Sequence, residues 1–232
     1  MVRHRRLDEL LSSLGYCSRR EAQLWCDAGR LQAGDVRVKR ASERISATEV
    51  HLDGEALDSP DGLVVALHKP LGFVCSHDSR DGRLVYELLP ARWARRAPPV
   101  TSVGRLDKDT TGLVLLTDLG PLVHRLTSPK HHVEKTYQVT LDRAAGAEQV
   151  EAFSRGLMLD GEAQPTLPAT LRVTGPTEAE VTLVEGRYHQ VRRMFAACGL
   201  HVVSLHRTRF GQWSLEGLSS GQWRHEERPA TE

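Results

Sequence analysis

The stretch Gly104-Arg105-Leu106-Asp107-Lys108-Asp109-Thr110-Thr111-Gly112-Leu113 runs into the apolar segment Val114-Leu115-Leu116-Thr117. A short apolar run that follows turn signals predicts a buried strand over 114–117, with 104–111 as the loop that enters it. Arg105 stands two residues before Asp107, and a nearby cation favours the ionised carboxylate. An ionised carboxylate in such a loop is a candidate nucleophile. The alternative is a plain turn in which Asp109 caps its own backbone.

Composition limits the class of protein around this loop. The chain of 232 residues is 40% apolar and 26% charged, which is typical of a soluble globular protein. We expect no membrane span, because no run approaches the roughly 18 apolar residues required, and no secretory signal is present at the N-terminus. The four cysteines lack CxxC spacing, which favours reduced thiols in the cytoplasm. The sequence predicts no metal and no cofactor, since HExxH, GxGxxG and Walker motifs are absent.

Basic residues are grouped, although the net charge is only +1. Residues 1–44 hold ten Arg or Lys against six Asp or Glu. Local basic patches on a near-neutral protein are typical of phosphate contact, whereas solvated helix faces are the alternative. Two further groups comprise Arg92, Arg95 and Arg96, and then Arg187, Arg192, Arg193, Arg207 and Arg209.

Residues 1–57 are predicted to form a small domain of two helices followed by a short β segment. Leucines recur at helical spacing from Leu7 to Leu14. Ser18, with Glu21 three residues later, predicts a capping box at the start of the second helix.

The remaining chain predicts a larger α+β domain over 63–225, with a mainly antiparallel mixed sheet and flanking helices. The turn-rich segment 58–62 is predicted to be a linker, and 226–232 a disordered tail. The predicted strands are 63–68, 114–117, 137–141, 170–173, 180–184 and 202–205, and the predicted helices are 85–89, 122–127, 147–156 and 190–198.

A second candidate site is Lys135-Thr136-Tyr137-Gln138-Val139. In a strand, Lys135 and Tyr137 share one face because side chains alternate. A tyrosine ring can stack on a nucleobase while a lysine contacts phosphate. The alternative is a tyrosine half-buried on a sheet.

A third candidate site is the segment 185–195, in which a predicted helix begins near His189. Arg192 lies on its first turns and could reach a carboxylate as a bidentate fork, keeping it charged. The alternative is an amphipathic surface helix whose apolar stripe contains Val191, Met194 and Phe195.

Together these motifs resemble the pseudouridine synthases, which isomerise a uridine within RNA, and residues 1–57 resemble the alpha-L RNA-binding domain. The resemblance covers nearly the whole chain, with several motifs in the order of the family. It is carried by Arg6-Leu7-Asp8, Ser18-Arg19-Arg20-Glu21-Ala22, Ala28-Gly29-Arg30, Lys69-Pro70-Leu71-Gly72, the Asp107 motif, Glu134-Lys135-Thr136-Tyr137, Gly186-Arg187-Tyr188-His189-Gln190-Val191-Arg192 and Leu205-His206-Arg207.

The resemblance implies roles for individual residues. Asp107 is the expected nucleophile, Arg105 holds the RNA open around the extruded uridine, Tyr137 stacks on the target base, and Arg192 pairs with Asp107. The expected RNA-binding residues are Arg6, Arg19, Arg20, Arg30, Lys69, Lys135, Arg187, His189 and Arg207.

The resemblance also implies an rRNA substrate, and the amino-acid sequence of segments 130–137 and 187–190 favours small-subunit rRNA. The expected partner is rRNA or a pre-ribosomal small-subunit particle, and the chain is expected to be a monomer. Two alternatives within the scaffold are a large-subunit rRNA pseudouridine synthase and a non-catalytic rRNA-binding assembly protein. A third is a glycosidase-type hydrolase using Asp107 and Asp109, whose carboxyl groups would have to lie roughly 5–10 Å apart across a sugar.

Overall fold

The computed structural model describes residues 4–229, and the N-terminal unit has two helices packed against short strands. Leu7, Leu10 and Leu11 are fully buried between them. The predicted capping box is confirmed, because Ser18 Oγ accepts from the Glu21 amide and the Glu21 carboxylate accepts from the Ser18 amide. The elements are β1 (His4–Arg6), α1 (Leu7–Ser13), α2 (Arg19–Asp27), β2 (Leu31–Ala33), β3 (Val36–Arg37), β4 (Arg44–Ser46), β5 (Val50–Leu52) and β6 (Glu55–Ala56).

The larger unit is built on one long sheet with helices on both faces. The strands of the long sheet are β7 (Val64–Lys69), β10 (Thr101–Ser102), β11 (Thr110–Thr117), β12 (Lys135–Leu141), β13 (Thr170–Val173), β14 (Glu178–Leu183), β15 (Val202–Phe210), β16 (Trp213–Ser214) and β17 (Trp223–His225). Two further short strands, β8 (Phe73–Val74) and β9 (Arg83–Leu84), pair with each other in a separate two-stranded sheet. Its α-helices are α3 (Gly120–Thr127), α4 (Ala147–Arg155) and α5 (Gln190–Ala197).

The sheet is mixed and mostly antiparallel, as predicted. The nine-stranded sheet runs β13-β14-β12-β15-β11-β7-β17, with β10 on β11 and β16 on β15. The β11–β15 pair is parallel, whereas the other pairs in this sheet are antiparallel. One face is covered by α4 and α5 through Phe153 and Phe195, and the other by α3 through Leu122 and Leu126.

The central strand β11 begins earlier than predicted, at Thr110 rather than at 114. Gly112 pairs with Lys69 on one side and with Arg207 on the other, so tertiary hydrogen bonding extends the strand into the polar segment. The loop that carries Asp107 is correspondingly shorter.

Several other predicted elements change in length or type. The last long strand continues to Phe210, so Arg207 lies within it. The predicted helix over 85–89 is a 3-10 turn, Val85–Leu88. Within the predicted disordered tail, the Glu226 amide bonds to the Val64 carbonyl and Arg228 bonds to the Asp61 carbonyl, while 230–232 lie outside the described residues.

The predicted linker is fixed to the larger unit by buried charges. Asp58 accepts hydrogen bonds from Arg92 and from the Trp93 indole, each 2.8 Å long, and Arg96 pairs with Asp118 at 2.7 Å. Burial would raise the pKa of Asp58, but the hydrogen bonds from Arg92 and Trp93 hold it below its usual value. Two of the three arginines predicted to contact phosphate at 92–96 are therefore committed to holding the two units together.

Within residues 4–229, none of the helices is both long and apolar enough to cross a bilayer.

Candidate active site

The Asp107 loop, the strands β12 and β15 and the start of α5 enclose a cleft of about 410 Å³. Seven of the predicted site residues line it together, although they are spread over a hundred positions of the chain. They are Arg105, Asp107, Lys135, Tyr137, Arg187, His189 and Arg207.

The Asp107 loop is held from below by Lys69. The Lys69 ammonium is fully buried and donates to the carbonyls of Thr110 (2.7 Å) and Pro70 (3.2 Å), while the Thr110 amide closes a turn on the Asp107 carbonyl. Burial lowers the pKa of Lys69. The sequence predicts that Lys69 binds RNA, whereas in this structure its ammonium is fully buried among backbone carbonyls and supports the loop.

The Asp107 carboxylate points into the cleft with about a third of its surface exposed, 35%. His189 Nε2 lies 3.4 Å from Asp107 Oδ1. The His189 backbone is left-handed (φ 47°), and its ring stacks on Tyr188 at 3.9 Å. The turn at the start of α5 thus brings an imidazole beside the carboxylate, a contact that sequence spacing did not indicate.

Arg192 is close to the Asp107 loop but pairs with a different carboxylate. Its Nη2 lies 2.8 Å from Asp109 Oδ2, and Nη1 donates to the Val202 carbonyl at 3.0 Å. Arg192 is not among the residues that line the cleft. The expected Arg192–Asp107 pair is therefore replaced by an Arg192–Asp109 pair, since the strand start at Thr110 directs Asp109 toward α5.

Tyr137 and Arg207 lie side by side at the floor of the cleft, because their backbones are paired between β12 and β15. Both are mostly buried, and Arg207 Nε donates to the Leu113 carbonyl at 2.7 Å. Lys135 is half-buried in the same floor and donates to the Val133 carbonyl at 2.9 Å. Burial, with the charge of Arg207, lowers the pKa of Lys135 to about 8.

Two carboxylates that sequence reasoning missed hold one wall of the cleft. Glu185 accepts from Gln190 Nε2 (2.7 Å) and from Arg187 Nε (3.2 Å). Glu162 binds both Arg187 and Arg193. Arg187 therefore lines the cleft with its guanidinium largely neutralised. The spacing of Glu185 and Gln190 within the third candidate site is the sequence feature that could have predicted this wall.

The predicted RNA-binding arginines of the N-terminal unit lie outside the cleft, and most have carboxylate partners. Arg6 and Arg19 both bind Asp8, whose pKa is lowered to about 2 by the Arg6 hydrogen bond against the effect of burial. Arg30 binds Asp53 and packs over the Trp25 ring. Arg20 is exposed at the start of α2.

The geometry also bears on the alternative chemistries. The hydrolase hypothesis needs Asp107 and Asp109 to face one sugar, but Asp109 is held by Arg192 and does not line the cleft. In the described part of the chain, no three His, Cys, Asp or Glu side chains are grouped so that they could hold a metal ion.

The cleft on the mixed sheet brings an aspartate without an arginine partner among the described residues, Asp107, together with Tyr137. The profile of the RNA pseudouridylate synthase family matches residues 63–197, and that of the S4 domain matches residues 5–60. The chain belongs to the RNA pseudouridylate synthase family.

Its relatives include ribosomal small subunit pseudouridine synthase A of Pasteurella multocida, 42% identical over 94% of each chain. The enzyme of the same name from Escherichia coli K12 is 44% identical over 86% of this chain and 84% of its own. A solved pseudouridylate synthase structure superposes with a TM-score of 0.68 at 38% identity, covering 95% of each chain.

Proposed function

We propose that this protein converts one uridine of small-subunit rRNA into pseudouridine. The observation that carries the proposal is the cleft in which Asp107 faces Tyr137 across a floor that contains Arg207. Family membership and the names of the relatives support the reaction and the choice of small-subunit rRNA.

The proposed reaction begins with extrusion of the target nucleotide, which costs a few kcal/mol in unstacking. Stacking on Tyr137 repays about 1–3 kcal/mol, and exposed Arg105 at the cleft occupies the space left in the RNA. The ionised Asp107 carboxylate then promotes cleavage of the bond between N1 and the ribose. The detached uracil turns within the cleft and the ribose rejoins it at carbon five.

The S4 domain supports RNA as the partner, because it adds a second basic surface that includes exposed Arg20. We also propose that the chain acts as a monomer in the cytoplasm. The substrate is either free rRNA or a small-subunit assembly particle.

The test maps pseudouridine by chemical labelling and primer extension on rRNA from a strain that lacks the gene. Wild-type protein and Asp107→Asn are incubated with free rRNA of both subunits and with partly assembled small-subunit particles. We expect one new stop in small-subunit rRNA with the wild type and none with Asp107→Asn. Filter binding should give the same RNA affinity for both proteins, because the substitution replaces only one carboxylate oxygen by an amide NH2 group.

Each other outcome has a distinct meaning. A stop only in large-subunit rRNA would support the proposed reaction and overturn the proposed small-subunit substrate. Turnover by Asp107→Asn would overturn the assignment of Asp107 as the nucleophile. RNA binding with no stop in any template would favour a non-catalytic assembly protein.

A further inference from the structure

The floor of the cleft contains two cations without a carboxylate partner. Arg207 is only 3% exposed, and Lys135 is half-buried beside it. Among residues 4–229, the arginine ion pairs near the cleft use Arg187, Arg192 and Arg193, and neither floor cation takes part in an ion pair. Buried cations are rarely left without an anion or a set of acceptors.

Arg207 has hydrogen-bonding capacity that the described residues leave unused. Its Nε is satisfied by Leu113, but Nη2 is buried and has no acceptor among the described residues. An unsatisfied buried donor costs roughly 1–3 kcal/mol. A molecule that enters the cleft can supply the missing acceptor.

Lys135 faces the same space from the neighbouring strand. The Lys135 ammonium lies 5.4 Å and the Arg207 guanidinium 5.0 Å from the centre of the Phe210 ring, so both cations contact one apolar wall. The other charge that acts on Lys135 is Glu185, from the segment after β14, which already accepts from Gln190, Arg187 and the Leu167 amide.

We propose, resting on the proposed function, that Arg207 and Lys135 bind a carbonyl oxygen of the extruded uracil and stabilise its negative charge. When the bond between N1 and ribose C1′ breaks, the electron pair stays on the ring and spreads over N1 and the carbonyl oxygens. The pair at carbon five then forms the new bond to C1′. The proton on carbon five leaves to solvent, and N1 takes up a proton in exchange.

The position of the two cations favours the base over a phosphate. Arg207 is directly paired with Tyr137 across the strands, so a ring stacked on Tyr137 reaches the floor. Phosphates stay on the RNA backbone at the mouth of the cleft, where the exposed Arg105 is available. Preorganised donors aimed at developing charge are a large source of rate enhancement.

The first test compares wild type, Arg207→Gln and Lys135→Gln in single-turnover reactions on the rRNA. Each variant should lower the rate of the bound complex by about 100-fold, the usual cost of removing one such donor, with an unchanged Kd for RNA. The matched control is Arg172→Gln, an exposed strand arginine paired with Glu180 at 2.9 Å on the edge of the sheet. It should leave both quantities unchanged.

The second test is the pH dependence of the same rate. Lys135 must be charged to stabilise an anion, so the wild-type rate should fall as pH rises through about 8. Lys135→Arg should keep activity and lose this fall, because a guanidinium stays protonated. If Lys135 had a purely structural role, the pH profile of the rate would be the same in Lys135→Arg as in the wild type.

Three results would overturn the proposal. The first is an unchanged rate in the variants. The second is weaker RNA binding at an unchanged rate, which would indicate that the cations contact a phosphate. The third is a wild-type rate that rises through pH 8, which would indicate that neutral Lys135 acts as a base. If Arg207→Gln does not fold, the two Lys135 variants decide the question. If the wild-type protein forms no pseudouridine, the proposed function itself is contradicted.

Discussion

The position of Asp107 depends on residues that hold its backbone. Lys69 donates to three carbonyls beneath the loop, those of Pro70, Lys108 and Thr110, and the Gly72 amide donates to the Lys108 carbonyl from the same side at 2.9 Å. The loop that carries the carboxylate is therefore supported by a lysine buried beneath it.

Lys69→Met tests this support, since methionine has a similar volume but cannot donate. The substitution leaves the Thr110 and Pro70 carbonyls without the ammonium, and we expect a loss of about 1–3 kcal/mol in the free energy of unfolding. We also expect a lower kcat with an unchanged KM, because the loop shifts while the RNA surface is retained. Urea unfolding and single-turnover rates measure the two effects.

Lys108→Met is the matched control, because that lysine belongs to the same loop and its side chain is exposed. Its unfolding free energy should change by less than about 0.5 kcal/mol. A Lys69→Met protein as stable and as active as the wild type would show that the loop needs no support from below.

Among the elements, β11 is the one whose position matters most to the site. It pairs with β7 and β15, and it thereby places Lys69, Asp107 and Arg207 around one point. The approach of β15 is close at Gly112, which has a φ of 110° and where an added Cβ would lie 2.2 Å from the Arg207 carbonyl oxygen.

Gly112→Ala should therefore destabilise the protein by at least about 2 kcal/mol, because it combines backbone strain with a clash against another backbone. It should also lower activity by moving Arg207. Gly120→Ala is the control, since Gly120 is in α3 with open space around it. Thermal unfolding of both variants is the measurement, and equal stability of the two would contradict the argument.

The whole molecule is held together by the buried charges between its two units. Asp58 is 6% exposed and is bonded by Arg92 and Trp93, with Arg96 behind it. The Ala97 amide also bonds to the Ser13 carbonyl, so the S4 domain is attached along a surface as well as through the chain.

Asp58→Asn should weaken this attachment by about 1–3 kcal/mol, because it leaves the partly buried Arg92 guanidinium without its counter-charge, while Arg96 keeps Asp118. Limited proteolysis should then cut the segment 58–62 faster than in the wild type. Asp61→Asn, in the same segment but exposed, should be cut at the wild-type rate. Equal cleavage of both variants would mean that Asp58 does not hold the units together.

The same carboxylate gives the attachment a defined response to pH. The pKa of Asp58 in the folded protein lies below its usual value. Its contribution is therefore fully present above the unfolded pKa of about 4 and is lost as pH falls through the lower folded pKa. The attachment of the S4 domain to the larger unit should therefore be constant through neutral pH. Small-angle scattering across a pH series can measure it.

Local sequence patterns were sufficient for the parts of the fold and the site that depend on neighbouring residues. The capping box at Ser18 and Glu21, the strand face that carries Lys135 and Tyr137, and the loop that carries Asp107 are all properties of a few consecutive side chains. Strand alternation and helical spacing act over such short distances, so these features can be read without knowing the partner elements.

The partners of the charged side chains came only from tertiary structure. Arg192 pairs with Asp109, Arg96 pairs with Asp118, and Lys69 binds the Thr110 carbonyl beneath the loop. A basic residue looks the same in sequence whether it binds phosphate, a distant carboxylate or a backbone carbonyl. Which of these it contacts depends on the pairing of β11 with β7 and β15, which joins residues 41 to 95 positions apart.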